Sequence, residues 1–260
     1  MEMNLAARSL VLSFVVLVVP LAAGVAQEPG DLVPKGLYAA RQYSSSRART
    51  RPSNRYLRVR TTSFLLHDVR QSDAGLVVGS RYCLVEQEPL GRVRTSLGPD
   101  FVAAMPAWDA SLTADAESED DGVVRIEESV MVLGARLEDP ANDPLPTDPD
   151  DSRVTDPDGD GHPGVTVEVS GFVSGQVYLV QRLVRGFQGV VSSDGSFAGT
   201  VTGTGDQVVI GASNAILRTF TPRFEHNPDP KRNTFVWVPV PDDSTCETVV
   251  AGRDRLFPED

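Results

Sequence analysis

The clearest pattern in this chain is an alternation of apolar and polar positions in its second half. In Val165–Ser170 the three valines occupy every second position, so they share one face of an extended strand. The run 177–184 is more continuously apolar and predicts a more fully buried strand. Between later runs, Asp194 and Gly195 suit the positive φ angles of a tight hairpin turn. The pattern therefore predicts consecutive antiparallel strands over residues 164–221.

Short β-branched and aromatic runs, separated by turn-forming residues, extend this pattern through most of the chain from residue 56. They predict strands at 56–69, 75–87, 123–137, 164–171, 176–183, 187–191, 196–202, 207–212, 216–221 and 234–240. Helical periodicity is scarce, and the one short helix that we expect lies within 99–114, with Pro106 in its first turn. The sequence thus predicts an all-β fold, either an antiparallel sandwich or an antiparallel barrel.

Two polar stretches interrupt the predicted strands. Residues 41–55 are rich in arginine and serine and are typical of a mobile leader. Residues 138–163, the acidic loop, are rich in aspartate and contain six prolines. Because proline breaks strand pairing, we expect this loop to run over the surface. It is either a linker between two domains or a long connection inside one domain.

The N-terminal segment has the three-part layout of a secretory signal: Arg8, an apolar run from Leu10, and small residues that end at Ala26. The alternative is an uncleaved anchor, but an anchor needs about 20 apolar residues and this run is interrupted at Pro20. No later segment is long and apolar enough to cross a bilayer, so we expect no transmembrane segment in the mature chain.

The predicted organisation follows from these boundaries. It consists of a signal peptide at 1–26, a flexible leader at 27–55 and a single β-rich domain at 56–260 that contains the acidic loop at 138–163. We expect the mature protein to be secreted or periplasmic.

The charge balance bears on the partners of the protein. The chain has 36 acidic and 24 basic residues, which give a net charge of −12. Neutralising the phosphates of nucleic acid needs a basic face, so this balance argues against nucleic acid as a general partner. The sequence leaves the true partner open.

Cys83 and Cys246 are the two cysteines of the chain, and export takes both into an oxidising compartment. An even number of cysteines in that setting favours a disulfide. The alternative is a thiol nucleophile, which needs a neighbouring base, and neither cysteine has one beside it in the sequence. We therefore predict a bond between Cys83 and Cys246, which would favour the acidic loop as a connection inside one domain.

The candidate metal site is the loop that contains Asp156, Asp158 and Asp160. Three carboxylates at alternate positions can surround one hard cation, and Gly161 permits the sharp turn that this requires. The backbone oxygen of His162 can add a further ligand. We predict a structural calcium ion at these residues; the alternative is an ordinary acidic surface turn, in which the negative charges repel one another.

Over about nine residues this loop resembles the calcium loops of EF-hands, dockerins and thrombospondin type 3 repeats. An EF-hand would have a glutamate at the position of Val167, whereas Glu168 comes one residue too late. The segment 156–167 as a whole is also similar to a DxDGDGxPGVTV segment of exported bacterial proteins. That resemblance implies no particular activity.

The remaining residues carry little recognisable chemistry. The histidines lack a metal-ligand spacing such as HExxH, and no GxSxG elbow, P-loop or dinucleotide fingerprint is present. Glu127 and Glu128 could supply a carboxylate pair for glycoside hydrolysis, but such pairs arise by chance in a chain with 36 acids. We therefore assign no catalytic residue.

Residues Gly36, Leu37 and Tyr38 resemble the Gly-x-Trp motif in the opening strand of lipocalins, with Tyr in place of Trp.

Our leading prediction is an exported, calcium-stabilised, β-rich binding or structural module without catalytic activity. One alternative is a lipocalin-like carrier, whose barrel holds a small apolar ligand. The other is a secreted hydrolase, which needs two carboxylates, or a nucleophile and a base, in one cleft. The most informative observation is whether the interior is open or filled.

Overall fold

The computed structural model describes residues 33–49, 56–73, 75–114, 123–219 and 223–258. The predicted signal peptide and its cleavage after Ala26 lie outside these residues. Within the described part, the chain forms eleven strands: β1 (Gly36–Arg49), β2 (Tyr56–Ser72), β3 (Gly75–Gln87), β4 (Arg94–Ser96), β5 (Trp108–Ala114), β6 (Val123–Leu133), β7 (Val165–Ser170), β8 (Gly175–Val191), β9 (Phe197–Ala212), β10 (Arg223–His226) and β11 (Thr234–Val240). The same residues form four short helices, α1 (Pro99–Ala104), α2 (Ala215–Thr219), α3 (Cys246–Ala251) and α4 (Arg253–Leu256), and a 3-10 turn at Pro230–Arg232. The predicted all-β class is confirmed.

Eight of these strands form a closed ring in chain order. Each pairs antiparallel with the next, in the order β1, β2, β3, β5, β6, β8, β9 and β11, and β11 pairs again with β1. A ring of this kind is an up-and-down β-barrel. The interior of an eight-stranded barrel is just wide enough to be filled by side chains or to hold one small ligand.

The other three strands, β4, β7 and β10, extend one end of this ring. β7 pairs with residues 175–179 at the start of β8, β4 pairs with β7, and β10 pairs with residues 46–49 at the end of β1. Because neighbouring strands of the ring alternate in direction, the end of β1 and the start of β8 lie at the same end of the barrel. We call this the upper end, and the opposite end the lower end.

Aromatic side chains around Trp237, which is only 1% exposed, fill the lower half of the barrel. The ring centroids of Tyr38, His67, Phe197 and Phe235 lie 6.0, 4.0, 5.1 and 5.9 Å from that of Trp237. These side chains come from β1, β2, β9 and β11, so their packing joins four strands of the ring. Burial of a large apolar side chain stabilises a fold by about 1.5–3 kcal/mol, which makes this cluster a major part of the core.

The predicted disulfide is confirmed, because the sulfur atoms of Cys83 and Cys246 are bonded at 2.00 Å. The bond joins β3 to the start of α3. Helices α3 and α4 cover the outer face of β1 and β2, where Val249 and Phe257 are buried. The ring centroid of Phe257 lies 6.0 Å from that of Phe64 on β2. The disulfide therefore fixes the C-terminal segment against the outside of the barrel.

The acidic loop connects β6 to β7 and lies on the outer face of the barrel. Strands from both sides of it belong to the same ring, so it is a connection within that ring. Leu145 and Val154 of the loop pack against a cluster formed by Tyr178, Val180 and Ile210 of β8 and β9. Apolar contact thus holds the loop to the barrel although most of its residues are polar.

Residues 36–49 correct the prediction of a flexible leader over 27–55. They form β1, which pairs with β2 along its length and with β11 and β10 on its other side. Gln42, Ser44 and Ser46 occupy alternate positions of this strand and line the barrel interior. Because the inner face of β1 is polar here, the alternation that marks the other strands is missing.

The predictions for 99–114 and 216–221 were also partly wrong. The helix in the first range is limited to α1, which has Pro99 in its first turn, and the residues from Trp108 form β5. The second range was predicted as a strand, but it overlaps α2. The amide of Leu217 donates to the side-chain oxygen of Asn214 at 3.0 Å, and an Asn in this position favours the start of a helix.

The strands predicted at 176–183 and 187–191 are one continuous strand, β8, and those predicted at 196–202 and 207–212 are continuous as β9. The glycines between them suggested turns. In the structure Gly203 has a φ of +132°, and a Cβ at this position would collide with the carbonyl of Val184. The glycine therefore permits a close approach of two strands instead of a turn.

Candidate ligand cavity and acidic loop

The upper half of the barrel encloses a cavity of about 240 Å³. Its walls come from β1, β2, β3, β8 and β9 of the ring, from the added strands β4, β7 and β10, and from α1 and α2. The three added strands thus contribute to the walls of the part of the interior that side chains leave open. The interior is filled at the lower end and open at the upper end.

One side of the cavity is apolar. Its lining includes Val85, Phe101, Met105, Val167, Leu179 and Leu183. Phe101 and Met105 belong to α1 and the residue after it, so the helix contributes apolar surface next to β3 and β7. An apolar wall with a few polar groups is the common composition of small-molecule sites.

Another part of the cavity lining is polar and includes Gln42, Ser44 and Ser46 of β1. Gln42 is only 3% exposed, and its Nε2 donates to Ser44 Oγ at 3.0 Å. The side-chain oxygen of Gln42 is buried and has no hydrogen-bond partner. A buried polar atom without a partner costs free energy, so the fold carries this group at the cavity wall at some expense of stability.

A cationic side chain also faces the cavity. Arg185 lies on the inner face of β8, at the same parity as Leu183 and Phe187. Its Nη1 donates to the carbonyl oxygens of Val184 and Thr204, at 2.9 Å each. Burial lowers the pKa of the Arg185 guanidinium, although it stays charged at neutral pH.

No described carboxylate forms an ion pair with Arg185. The two acidic residues in the described lining are Glu88 and Asp206, whose side chains are 53% and 75% exposed. Glu88 pairs instead with Arg60 at 2.8 Å, and Asp206 lies 4.0 Å from Arg182. The positive charge of Arg185 is thus not balanced by an acid of the described lining.

Two titratable groups that interact electrostatically with Arg185, Tyr82 and His226, are neutral at neutral pH. Burial raises the pKa of the Tyr82 hydroxyl, and the attraction of Arg185 only partly opposes this. Burial lowers the pKa of His226, and the repulsion from Arg185 lowers it further. Both side chains line the cavity. Arg185 is therefore the one cation of the described lining, and Tyr82 and His226, with which it interacts, are neutral.

A second, more open groove of about 940 Å³ lies outside the barrel, between β2, β3 and α4. Arg41 lies over the rings of Tyr43 and Phe257, at 5.0 and 5.4 Å from their centroids, and Arg60 lies 4.9 Å from that of Tyr43. Nη1 of Arg41 also donates to the Phe257 carbonyl at 2.9 Å. Both arginines already contact aromatic rings, although Nε of Arg41 is buried without a hydrogen-bond partner, and the groove is a weaker candidate site than the cavity because it is more open.

The structure brings together the three aspartates of the predicted metal site. Carboxylate oxygens of Asp156, Asp158 and Asp160 lie within 4.8 Å of one another. Gly159 and Gly161 have φ angles of +69° and +85°, which glycine adopts readily, so they permit the tight turn. Calcium binds six to eight oxygen atoms, and these carboxylates can supply part of such a shell.

The same carboxylates also accept hydrogen bonds from the backbone. Asp156 Oδ1 accepts from the amides of Gly159 and Asp160, at 2.8 and 3.2 Å, and Oδ2 accepts from that of Gly161 at 2.9 Å. Asp158 Oδ2 accepts from the Thr166 amide at 2.8 Å, whereas Asp158 Oδ1 is buried and has no partner. The turn is thus held by its own hydrogen bonds, and Asp158 Oδ1 is a buried oxygen of the cluster that none of them satisfies.

Burial is the main cause that raises the pKa of Asp158, and the nearby charge of Asp160 adds to it. A bound cation would offset the free-energy cost of keeping the Asp158 carboxylate charged in this position. His162 lies next to the cluster, because its amide donates to Asp160 Oδ1 at 2.9 Å. Its ring stacks on that of Tyr178, with the centroids 4.3 Å apart. Glu168, which is one residue late for an EF-hand, accepts from Gln176 Nε2 at 2.8 Å.

The sequence analysis did not identify Gln42 or Arg185 as site residues. A signal for Arg185 was present, since Leu179, Leu183 and Phe187 share its parity in the β8 sequence. A charged residue among these apolar positions points into the barrel. The polar inner face of β1 carried no comparable signal, because it resembles a solvated segment.

No helix among the described residues is long and apolar enough to span a membrane. The resemblance of 156–167 to a segment of exported bacterial proteins stays a prediction. No family model, curated protein or solved structure matches this chain.

Proposed function

We propose that this protein is an exported binding protein whose barrel carries a small, mostly apolar molecule. The observation that supports this proposal is the cavity in the upper half of the barrel, with its apolar wall. The lower half is packed with aromatic side chains, so the open space is confined to one end. Up-and-down eight-stranded barrels include the lipocalins, which hold ligands in this way.

The size of the cavity limits the ligand. Drug-sized ligands occupy pockets of about 300–1,000 Å³, and this cavity of about 240 Å³ is smaller. We therefore expect a small molecule, or one end of a longer chain whose remainder extends through the upper end of the barrel. This proposal places the alternative of a lipocalin-like carrier ahead of the leading prediction, a calcium-stabilised binding or structural module. The secreted hydrolase stays a prediction.

Calcium is kept in this proposal as a structural ion of the acidic loop. Its support is the convergence of Asp156, Asp158 and Asp160 and the partnerless oxygen of Asp158. The loop packs on the outer face of β8 and β9, whose inner faces line the cavity. An ion would thus stiffen one wall of the cavity from outside without touching the ligand.

The test uses the oxidised mature protein and a neutral apolar dye, N-phenyl-1-naphthylamine. We expect saturable binding at one site, with increased and blue-shifted emission. Leu183→Trp should fill the cavity and abolish binding, because Leu183 faces inward. Val184→Trp, on the outer face of the same strand, should bind like the parent. Thermal unfolding would verify that both variants are folded. Equal binding by the parent and the folded Leu183→Trp variant would contradict the proposal.

A further inference from the structure

We propose that the ligand of the cavity is an amphiphile with a single carboxylate, which pairs with Arg185 while its apolar tail lies along the α1 side. This inference rests on the proposed function and specifies the ligand. It is carried by the position of Arg185, which pairs with no described carboxylate, inside a mostly apolar cavity.

The charge balance of the cavity favours an anion. A partly buried guanidinium has lost part of its solvation, which a negative partner or several hydrogen bonds can offset. Arg185 donates to the carbonyl oxygens of Val184 and Thr204, which carry no net charge. Among the described residues no carboxylate pairs with it, and Tyr82 and His226 are neutral. A ligand can supply the missing negative charge.

The number of charges favours a monoanion. Arg185 is the only Arg or Lys of the described cavity lining. A dianionic head group such as a phosphate monoester would bring a second negative charge that nothing in this lining balances. A carboxylate carries one charge and matches the fork of a guanidinium with two oxygen atoms. A carboxylate is therefore a better match than a phosphate.

Gln42 gives independent support for a polar head group. Its side chain is almost completely buried, its oxygen has no partner, and it lines the same cavity as Arg185. If the amide is rotated by 180°, its oxygen can accept from the hydroxyl of Ser44, and its Nε2 then offers donors to the cavity. In this rotated orientation, Nε2 of Gln42 can donate to a bound carboxylate.

The apolar side of the cavity gives the tail its place. Phe101 and Met105 from the α1 region, with Leu179 and Leu183 from β8, form a wall without charge. A flexible methionine adapts to tails of different shape. A straight saturated chain thus fits the lining, and the head group rather than the tail would determine specificity.

The experiment compares ligands that share one tail and differ in the head. Decanoate, 1-decanol, decylamine and decyl phosphate would each displace N-phenyl-1-naphthylamine from the oxidised mature protein at neutral pH. We expect decanoate to bind most tightly, about tenfold to a hundredfold better than decanol, which is the range for a charge-assisted hydrogen bond. Decylamine should bind worst, because its charge has the same sign as Arg185.

Variants of Arg185 test whether its charge causes the preference for decanoate over decanol. Arg185→Gln should lose the preference for decanoate over decanol while it retains the neutral dye, and Arg185→Lys should restore part of the preference. Arg81→Gln, which removes an exposed arginine next to Tyr82, should behave like the parent. Circular dichroism and the thermal midpoint would verify folding in each case.

The outcomes separate the two proposals. Binding of the neutral dye with equal affinity for decanoate and decanol would overturn the carboxylate ligand and leave the carrier intact. Tighter binding of decyl phosphate than of decanoate would also overturn it, in favour of a phosphate head. Absence of saturable binding of every probe, dye included, would overturn the carrier itself.

Discussion

The imidazole of His67 lies 4.0 Å from the indole of Trp237, centroid to centroid, in the lower core of the barrel. Its Nδ1 is 2.8 Å from Ser80 Oγ, and its Nε2 is buried without a partner. Burial lowers the pKa of His67 from 6.5 to about 3. The folded barrel therefore holds this histidine in its neutral form, at the centre of the aromatic cluster.

This burial predicts a dependence of stability on pH. Below pH 6.5 the unfolded chain binds a proton at His67, whereas the folded chain does so only near pH 3. The contribution of neutral His67 to the free energy of unfolding is thus fully present above about pH 6.5. It decreases by about 1.4 kcal/mol per pH unit as the pH falls toward 3. Urea unfolding of the parent and of His67→Gln between pH 7 and pH 4.5 would measure it. Carboxylates contribute to both curves, so the readout is the difference in slope, and parallel curves would contradict the prediction.

Removal of the disulfide is expected to lower the stability of the fold. Cys83 and Cys246 are separated by 163 positions, and in the chain-entropy model the bond that closes so long a loop stabilises the fold by about 5 kcal/mol. Replacing both cysteines by serine should lower the free energy of unfolding by an amount of this order. Urea unfolding under non-reducing conditions would measure the loss. An unchanged midpoint would show that the bond adds no stability to the barrel.

We expect Gln42 to lower the stability of the fold while it contributes to ligand binding. Gln42→Met removes a buried oxygen without a partner, so the thermal midpoint should stay equal or rise, while the affinity for decanoate should fall. Ser44→Ala serves as the matched control, because it removes the same hydrogen bond but leaves the whole amide unsatisfied. This control should lower the midpoint. If Gln42→Met is less stable than Ser44→Ala, the amide is an ordinary structural group.

Sequence reasoning succeeded where burial imposes a regular pattern. The alternating valines of Val165–Ser170 lie in β7, and the strand predicted at 234–240 agrees with β11. The cysteine pair was predictable because its chemistry depends on number and compartment more than on geometry. The strands follow from local sequence, and the all-β class follows from the strands.

The cavity was not predictable in the same way. A polar strand such as β1 looks like a solvated segment until ring closure shows that Gln42 and Ser44 face inward. Arg185 alternates with apolar residues along β8, so its inward orientation could be predicted. Whether its charge has a partner depends on side chains from strands that are distant in the sequence. The fold class is thus encoded locally in this chain, whereas the candidate site depends on register and closure.

The acidic loop gives the last prediction, since calcium should raise the thermal midpoint of the oxidised mature protein above its value in chelator. A ligand that binds only the folded state stabilises it by mass action. The informative variant is Asp158→Asn with Asp160→Asn. Each of these side chains has one oxygen that accepts a backbone amide and can still do so as Asn, so the substitutions chiefly remove charge. Asp156 is left intact because both of its oxygens hold the turn.

The double variant should lose the calcium-dependent shift while its midpoint in chelator changes little. Replacing the exposed Asp242 and Asp243 by asparagine makes the same change of net charge elsewhere on the surface, and this control should keep the full shift. If the loop is only an acidic turn, calcium should leave the parent unchanged, and the loop variant should be as stable as the parent or more so, because the repulsion between its carboxylates is relieved. That result would remove calcium from the proposed function and leave the cavity as the candidate site.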